Sequence, residues 1–363
     1  MKITNVEAIY PQYRHPVSSW RDHFWQIVVR VETDVGITGY GFGGGGVGAV
    51  EVVNRHFASL LSGRVVNSIE DIATIWDDLY QASLPYGRRG IAVMALSGLD
   101  LALWDLLGRA EKMPVYQLIG TRNIDQVQAY ASGNDSEYYA ELGYTAHKFT
   151  HRWTGEAGGD YASAIASAEK ARKYFGDDAL LMVDCYMSWD ATVTIEMEKH
   201  LAPYKLYWIE DILTPDQLPQ SASVRAELED VHLAGGEHEF THFGFAEVAH
   251  HHALDIWQPD ITWCGGITAG LRIVELASQA NIPVVLHRGG EVWGLHLIVS
   301  SGCDNLAEWL PGTRPKTETE GALIYPSAQN NNILWYDQPE PANGFIAPTD
   351  APGFGVNLNE TFI

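Results

Sequence analysis

Two rhythms of apolar and polar residues divide the chain. In the first part, FWQIVVRVETD and ITGYGF are β-rich runs separated by a turn-forming Asp-Val-Gly, which predicts a hairpin turned at residues 34–36. Apolar residues then recur at helical spacing around 50–61, 69–80 and 91–107. The last of these, within AVMALSGLDLALWDLLGR, stops before Pro114. From about Gln126 the texture changes to short β-rich runs alternating with helical stretches: VQAYAS, TAHKFT, ALLMVDC, LYWIED, HLAGGE, IWQPD, PVVLH and LAEWL. Runs of this kind separated by helical segments predict a (β/α) barrel rather than an open sheet. From about Gly321 the chain is rich in Pro, Asn and Gly, follows neither rhythm, and is expected to pack back onto the first unit. The expected organisation is an α+β unit over 1–125, a barrel over 126–320 and a returning segment over 321–363.

Composition narrows the function classes. At 363 residues, with 46% hydrophobic and 19% charged residues, the chain can bury the core of a barrel and a smaller companion. A formal net charge of −23 argues against binding nucleic acid or an anionic membrane, so neither is expected as a partner. The N-terminal MKITNVEAIYPQYRH lacks the apolar stretch of a signal peptide, and no run is expected to span a membrane. Cys185, Cys264 and Cys303 form no pairing pattern and read as buried thiols in a reducing compartment. A cytoplasmic homo-oligomer is expected.

The strand ends carry the candidate chemistry. Asp184, Glu210 and Glu237 stand at or near the ends of three successive runs, 26 and 27 residues apart. One strand plus one helix of a barrel takes about thirty residues, so equal phase places the three carboxylates side by side at one mouth. Oxygen ligands without thiolates suit a hard divalent cation such as Mg²⁺. Lys148, Asp260, His287 and Glu308 occupy equivalent strand ends. Asp260 and His287 are again 27 residues apart, so the carboxylate is placed to orient the imidazole and raise its basicity. Such a histidine suits general base catalysis at neutral pH.

Other motifs compete. His238-Glu239-Phe240-Thr241-His242 matches the HExxH zinc-peptidase pattern, which needs a helix to bring both histidines to one face. Here the motif directly follows a strand, so a zinc peptidase is a remote alternative. Gly39-Tyr40-Gly41-Phe42-Gly43-Gly44 fits GxGxxG, but no acidic residue follows at the distance a dinucleotide site requires, and a flexible glycine-rich lid is expected instead. No GxxxxGK[ST] is present, and His250-His251-His252 reads as a solvated helix surface.

The segments SGLDLALWDLLGRAEKMPVYQLIG, LLMVDCYMSWD, APYKLYWIED, GGEHEF, DIWQPDITWCGGIT and PGFGVNLN together resemble the mandelate racemase branch of the enolase superfamily. Within it, the chain is most similar to the L-rhamnonate dehydratases. The resemblance implies an α/β fold, a modified TIM barrel of (β/α)7β form with an N-terminal α+β capping domain completed by the C-terminal segment. It implies that Asp184, Glu210 and Glu237 bind Mg²⁺, that Asp260 and His287 form the general base, and that Glu308 hydrogen-bonds near the substrate carboxylate. Racemases of the branch carry Lys-x-Lys on the second barrel strand, whereas this chain has Lys148-Phe149-Thr150. One base fits dehydration of a sugar acid to a 2-keto-3-deoxy acid through an enediolate, with Lys148 adding positive charge beside the carboxylate. A cycloisomerase or epimerase of a sugar acid is the alternative. His238, Arg288, Arg21 and His23 are the expected substrate contacts.

Overall fold

A computed structural model describes residues 1–13, 19–156, 158–314 and 333–363. Part of the segment HPVSSWRDHFW, which carries Arg21 and His23, and the start of the returning tail lie outside the described residues. The first unit opens with a strand that the apolar pattern did not reveal, β1 (Ile3–Ile9), paired antiparallel with β2 (Ile27–Thr33). The predicted hairpin joins β2 to β3 (Thr38–Gly43), with Gly36 at φ 77° in the turn.

The glycines of β3 serve packing rather than motion. A Cβ at Gly39, Gly41 or Gly43 would lie 2.0–2.6 Å from backbone carbonyls of the helix Ile91–Glu111. Their bare backbone lets strand and helix press together, which replaces the expected flexible lid. That helix is also long and apolar enough to cross a membrane, contrary to expectation, but it lies almost wholly inside the fold. Its polar residues face the barrel. Asp100 accepts from Thr268 N at 3.0 Å and from the Thr268 hydroxyl at 2.5 Å, and Ser97 Oγ accepts from Gly265 N at 2.8 Å. Helix Ile69–Ser83 begins at Ser68, whose hydroxyl caps Asp71 N, and buries Ile72, Ile75, Trp76 and Leu79 on one stripe. The helix expected over 50–61 is instead Gly46–Val52 continued through a π turn, Val53–Phe57, to Ala58–Leu61.

The second unit is a parallel sheet of β4 (Val127–Ser132), β5 (Ala146–Thr150), β6 (Leu180–Asp184), β7 (Trp208–Glu210), β8 (His232–Gly235), β9 (Ile256–Trp257) and β10 (Leu306–Trp309). The order β10-β4-β5-β6-β7-β8-β9 is that of a barrel wound in sequence. The run PVVLH is not a full strand; it contributes one bridge, Val284 to Trp257, and Val284 O accepts from Asp304 N at 3.0 Å. Tyr130, Met182, Trp208 and Val285 fill the barrel interior.

The tail returns to both units. Phe345–Ile346 pairs antiparallel with β4. Val115 N donates to Gly353 O at 2.9 Å, Phe354 N to Asp105 Oδ1 at 2.9 Å, and Arg109 to Val356 O at 2.7 Å. Cys185, Cys264 and Cys303 are free and buried.

Candidate active site

Parallel register sets the strand-end groups side by side. Asp184 pairs directly with Glu210, and Thr150 pairs with Asp184. Glu237 follows β8 after Gly236, whose φ of 121° turns the chain, and Asp260 follows β9 after Pro259.

Lys148 sits buried among these groups. Its Nζ is bonded to Glu210 Oε1 and lies 2.8 Å from Glu308 Oε1. Burial alone would lower the lysine's pKa, but the two carboxylates outweigh it and hold the pKa well above the ordinary value. Lys148 is therefore a fixed cation. The other oxygen of Glu210 accepts from Trp208 Nε1 at 2.9 Å and Gln258 Nε2 at 2.7 Å. Thr150, where a second lysine would stand in a racemase of this branch, is locked to Asn134 by two hydrogen bonds of 2.8 and 2.9 Å.

Sequence reasoning missed one carboxylate in this cluster. Asp211 follows Glu210 and would face away on a continued strand, but its φ of 49° turns the side chain over Gly235. A Cβ at Gly235 would lie 2.7 Å from Asp211 Oδ1, so glycine makes room for it. Ligand atoms of Asp211, Glu237 and His238 lie within 4.8 Å of one another. That grouping shares Glu237 with the expected trio but differs otherwise, because Glu210 is turned toward Lys148, Trp208 and Gln258. Burial, and next the charge of Glu210, push the Asp184 carboxyl well up; burial, and next Glu237, do the same to Asp211. Carboxylates crowded in this way are oxygen donors of the kind a hard divalent cation takes, and the set that converges within 4.8 Å here is Asp211, Glu237 and His238.

The other half of the site is joined to the first through His287. His287 Nδ1 lies 2.8 Å from Asp260 Oδ2, and His287 Nε2 lies 2.9 Å from Glu237 Oε2. Burial works against the imidazolium, yet Glu237 and Asp260 outweigh it and hold the His287 pKa well above its ordinary value. Glu308 accepts from Arg288 N at 2.9 Å through the oxygen not used by Lys148. Burial would raise its carboxyl, but Lys148, His287 and that amide hold it below the usual range.

The expected substrate contacts separate. Arg288 is turned inward: Nε donates to Asp260 Oδ2 at 3.0 Å, Nη2 donates to Thr262 Oγ1, and Glu291 is 3.6 Å away. The guanidinium is buried and shared between Asp260 and Thr262, with Nη1 making no hydrogen bond among the described residues. His238 remains at the site, with Nε2 3.1 Å from Glu237 Oε1 and its ring stacked on Trp263 at 6.0 Å. Arg21 lies over Trp20 and Trp25 at 4.8 and 5.0 Å, within electrostatic reach of Glu237 and Tyr186. His23 is exposed, and no hydrogen bond, ion pair or ring contact joins it to the cluster. The HExxH segment is not helical at its start: the helix begins at Thr241, Glu239 pairs with Arg89 at 3.4 Å, and His242 lies beside Trp76. Its histidines therefore do not share a helix face as a zinc peptidase requires.

Comparison with known proteins decides the family. Residues 134–362 match the enolase C-terminal domain-like family, and residues 16–120 match the mandelate racemase / muconate lactonizing enzyme N-terminal domain. The chain belongs to this family. It is similar to an L-rhamnonate dehydratase of Saccharopolyspora erythraea, 33% identical over 97% of this chain and 88% of that protein. Family membership extends to solved structures. Rhamnonate dehydratase from Gibberella zeae, complexed with Mg, superimposes with a TM-score of 0.85 at 27% identity, covering 99% of this chain and 94% of that one. A racemase from Streptomyces coelicolor with bound magnesium gives 0.83 at 25% identity, covering 99% and 98%.

Proposed function

We propose that the protein is a Mg²⁺-dependent dehydratase of an aldonate resembling L-rhamnonate, releasing a 2-keto-3-deoxy sugar acid. One observation supports dehydration over racemisation: Lys148 is held between two carboxylates as a cation, which leaves the histidines as the bases. His238 and His287 both lie against Trp263, at 6.0 and 5.6 Å. Lys148 is bound as a cation between Glu210 and Glu308, and Thr150 is tied to Asn134. Inverting a carbon needs proton transfer on both faces, whereas eliminating water needs one base. The similarity to rhamnonate dehydratases supports the substrate class.

Asp184, Glu210 and Glu237 would hold Mg²⁺, which supplies positive charge beside the substrate carboxylate as C2 becomes acidic. In this reading His287 acts in its neutral form, with Nε2 freed from Glu237, and takes the C2 proton there, while Asp260 keeps Nδ1 protonated and the ring oriented. The C3 hydroxyl leaves as water with the proton returned by the imidazolium, and the enol becomes the ketone. Lys148 and Glu308 fix the carboxylate end. The test is direct. Protein supplied with Mg²⁺ and L-rhamnonate, beside a panel of other aldonates, is assayed for keto acid with semicarbazide and for loss of water by mass. A 2-keto-3-deoxy product is expected; a product of unchanged mass would replace this reading with the cycloisomerase or epimerase alternative.

A further inference from the structure

The general base pair is held in place from the first unit of the molecule. Gln26, one residue before β2, is fully buried. Its Nε2 donates to Thr262 Oγ1 at 2.9 Å, and its Oε1 accepts from Trp263 Nε1 at 2.7 Å. Both ends of one amide are therefore spent on two consecutive residues beside the site.

Thr262 stands behind Asp260. Its backbone N and its hydroxyl each donate to Asp260 Oδ1 at 2.7 Å. A hydroxyl has one proton and two lone pairs. Here the proton goes to Asp260, and the lone pairs receive Gln26 Nε2 and Arg288 Nη2. The hydroxyl has no remaining rotation, and Asp260 presents Oδ2 to His287. Trp263 lies on the other side, its ring 5.6 Å from that of His287. Gly44 N donates to Thr262 O at 3.2 Å, and a Cβ at Gly44 would lie 2.6 Å from the Trp263 ring, so the first unit approaches as closely as glycine permits. Trp25, which precedes Gln26, meets Trp263 edge-on at 6.4 Å and lies under the Arg288 guanidinium at 5.6 Å.

We propose that Gln26 is a positioning residue that sets the His287–Asp260 geometry through Thr262 and Trp263, and so transmits the placement of residues 19–25 to the base. The proposal rests on the reading of His287 as that base. The test uses Mg²⁺-loaded enzyme with Gln26→Met, Gln26→Glu, Thr262→Val and the Met/Val double variant. Gln26→Met keeps the volume but loses both hydrogen bonds; Gln26→Glu competes with Asp260 for the single Thr262 proton, and serves if the Met variant does not fold. Small misplacements of a reacting group cost on the order of 10²-fold. Either Gln26 variant is expected to lower kcat by roughly 10- to 100-fold with KM nearly unchanged, and to raise the isotope effect at C2. The double variant is expected to be no worse than the poorer single one. The low-field Nδ1 proton resonance of His287 is expected to shift in both. Unchanged kcat and resonance in the folded variants, or kcat losses that multiply in the double variant, would overturn it. Wild-type protein that turns over no sugar acid refutes the functional reading, while the resonance still decides the clamp.

Discussion

The two halves of the site are built on opposite principles. Around Asp184, Glu210, Asp211 and Glu237, buried carboxylates crowd together, and Asp184 and Asp211 are pushed up in pKa by burial and by the charges of Glu210 and Glu237. Around Asp260, each oxygen meets two donors: Thr262 supplies two to Oδ1, while His287 and Arg288 share Oδ2. Burial there is offset first by Arg288 and next by His287, and the carboxyl is held below its ordinary value. Buried charge is costly unless it is paired and hydrogen-bonded. The first half therefore has room for a cation to offset its charge, as the proposed function requires, while Asp260 is already paired within the protein. A base must keep its direction through every turnover, whereas a metal site must accept an ion from solution.

Breaking the base has the largest expected effect. His287→Asn is expected to lower turnover by roughly 10²–10⁴-fold while leaving Mg²⁺ affinity, read by calorimetry, nearly unchanged. Arg288→Met strikes the Asp260 half: removing one partner of a buried ion pair is expected to cost about 3–5 kcal/mol in urea unfolding, because Asp260 is left uncompensated. A pair of neutralising changes then sharpens the contrast. Without metal, Asp184→Asn is expected to raise the melting temperature by relieving repulsion, and Asp260→Asn to lower it. Mg²⁺ at a hundredfold excess over Kd should add about 2.7 kcal/mol to the wild type and much less to Asp184→Asn. Equal signs for the two neutralisations would erase the distinction.

The smallest effect comes from two histidines outside both halves. Burial lowers the His147 pKa to about 4 and that of His296 to about 3. His296 Nδ1 accepts from Tyr116 N at 3.0 Å, which requires the neutral ring. The unfolded chain protonates these groups near pH 6.5, whereas the native state does not, so their contribution is present above that pH and is lost as pH falls toward 4. His147 alone should remove about 2 kcal/mol between pH 6.5 and 5, measured as a falling urea midpoint.

The strand-end phase made Lys148, Asp184, Glu210 and Glu308 legible, because β5, β6, β7 and β10 carry these residues within the strand itself. It was weaker toward β9, where the strand shrinks to two residues and PVVLH to a single bridge. Loops carry Glu237, Asp260 and His287 there, and the apolar pattern marks their run but not its geometry. Asp211, which the strand-end pattern passed over, and Arg288 point where they do for one physical reason. Both adopt positive φ, 49° and 50°, which swings the side chain away from the direction an extended strand predicts. Asp211 thereby joins the carboxylates, and Arg288 turns to Asp260. Gln26 carried no signal at all, since its partners are more than two hundred residues away. The glycine series looked like a mobile loop because spacing does not report how near a helix approaches.

The tail that follows the barrel has a bearing on how the chain is made. Asp105 and Arg109, on the long helix of the first unit, reach their partners at Phe354 and Val356, and Val115 meets Gly353. The first unit is thus closed by residues that come after the whole barrel in the sequence. Such long-range closure is slow to form. Until it does, the apolar face of that helix has neither barrel nor tail to cover it, and a nascent chain stalled within the barrel would expose the sequence most prone to misassembly.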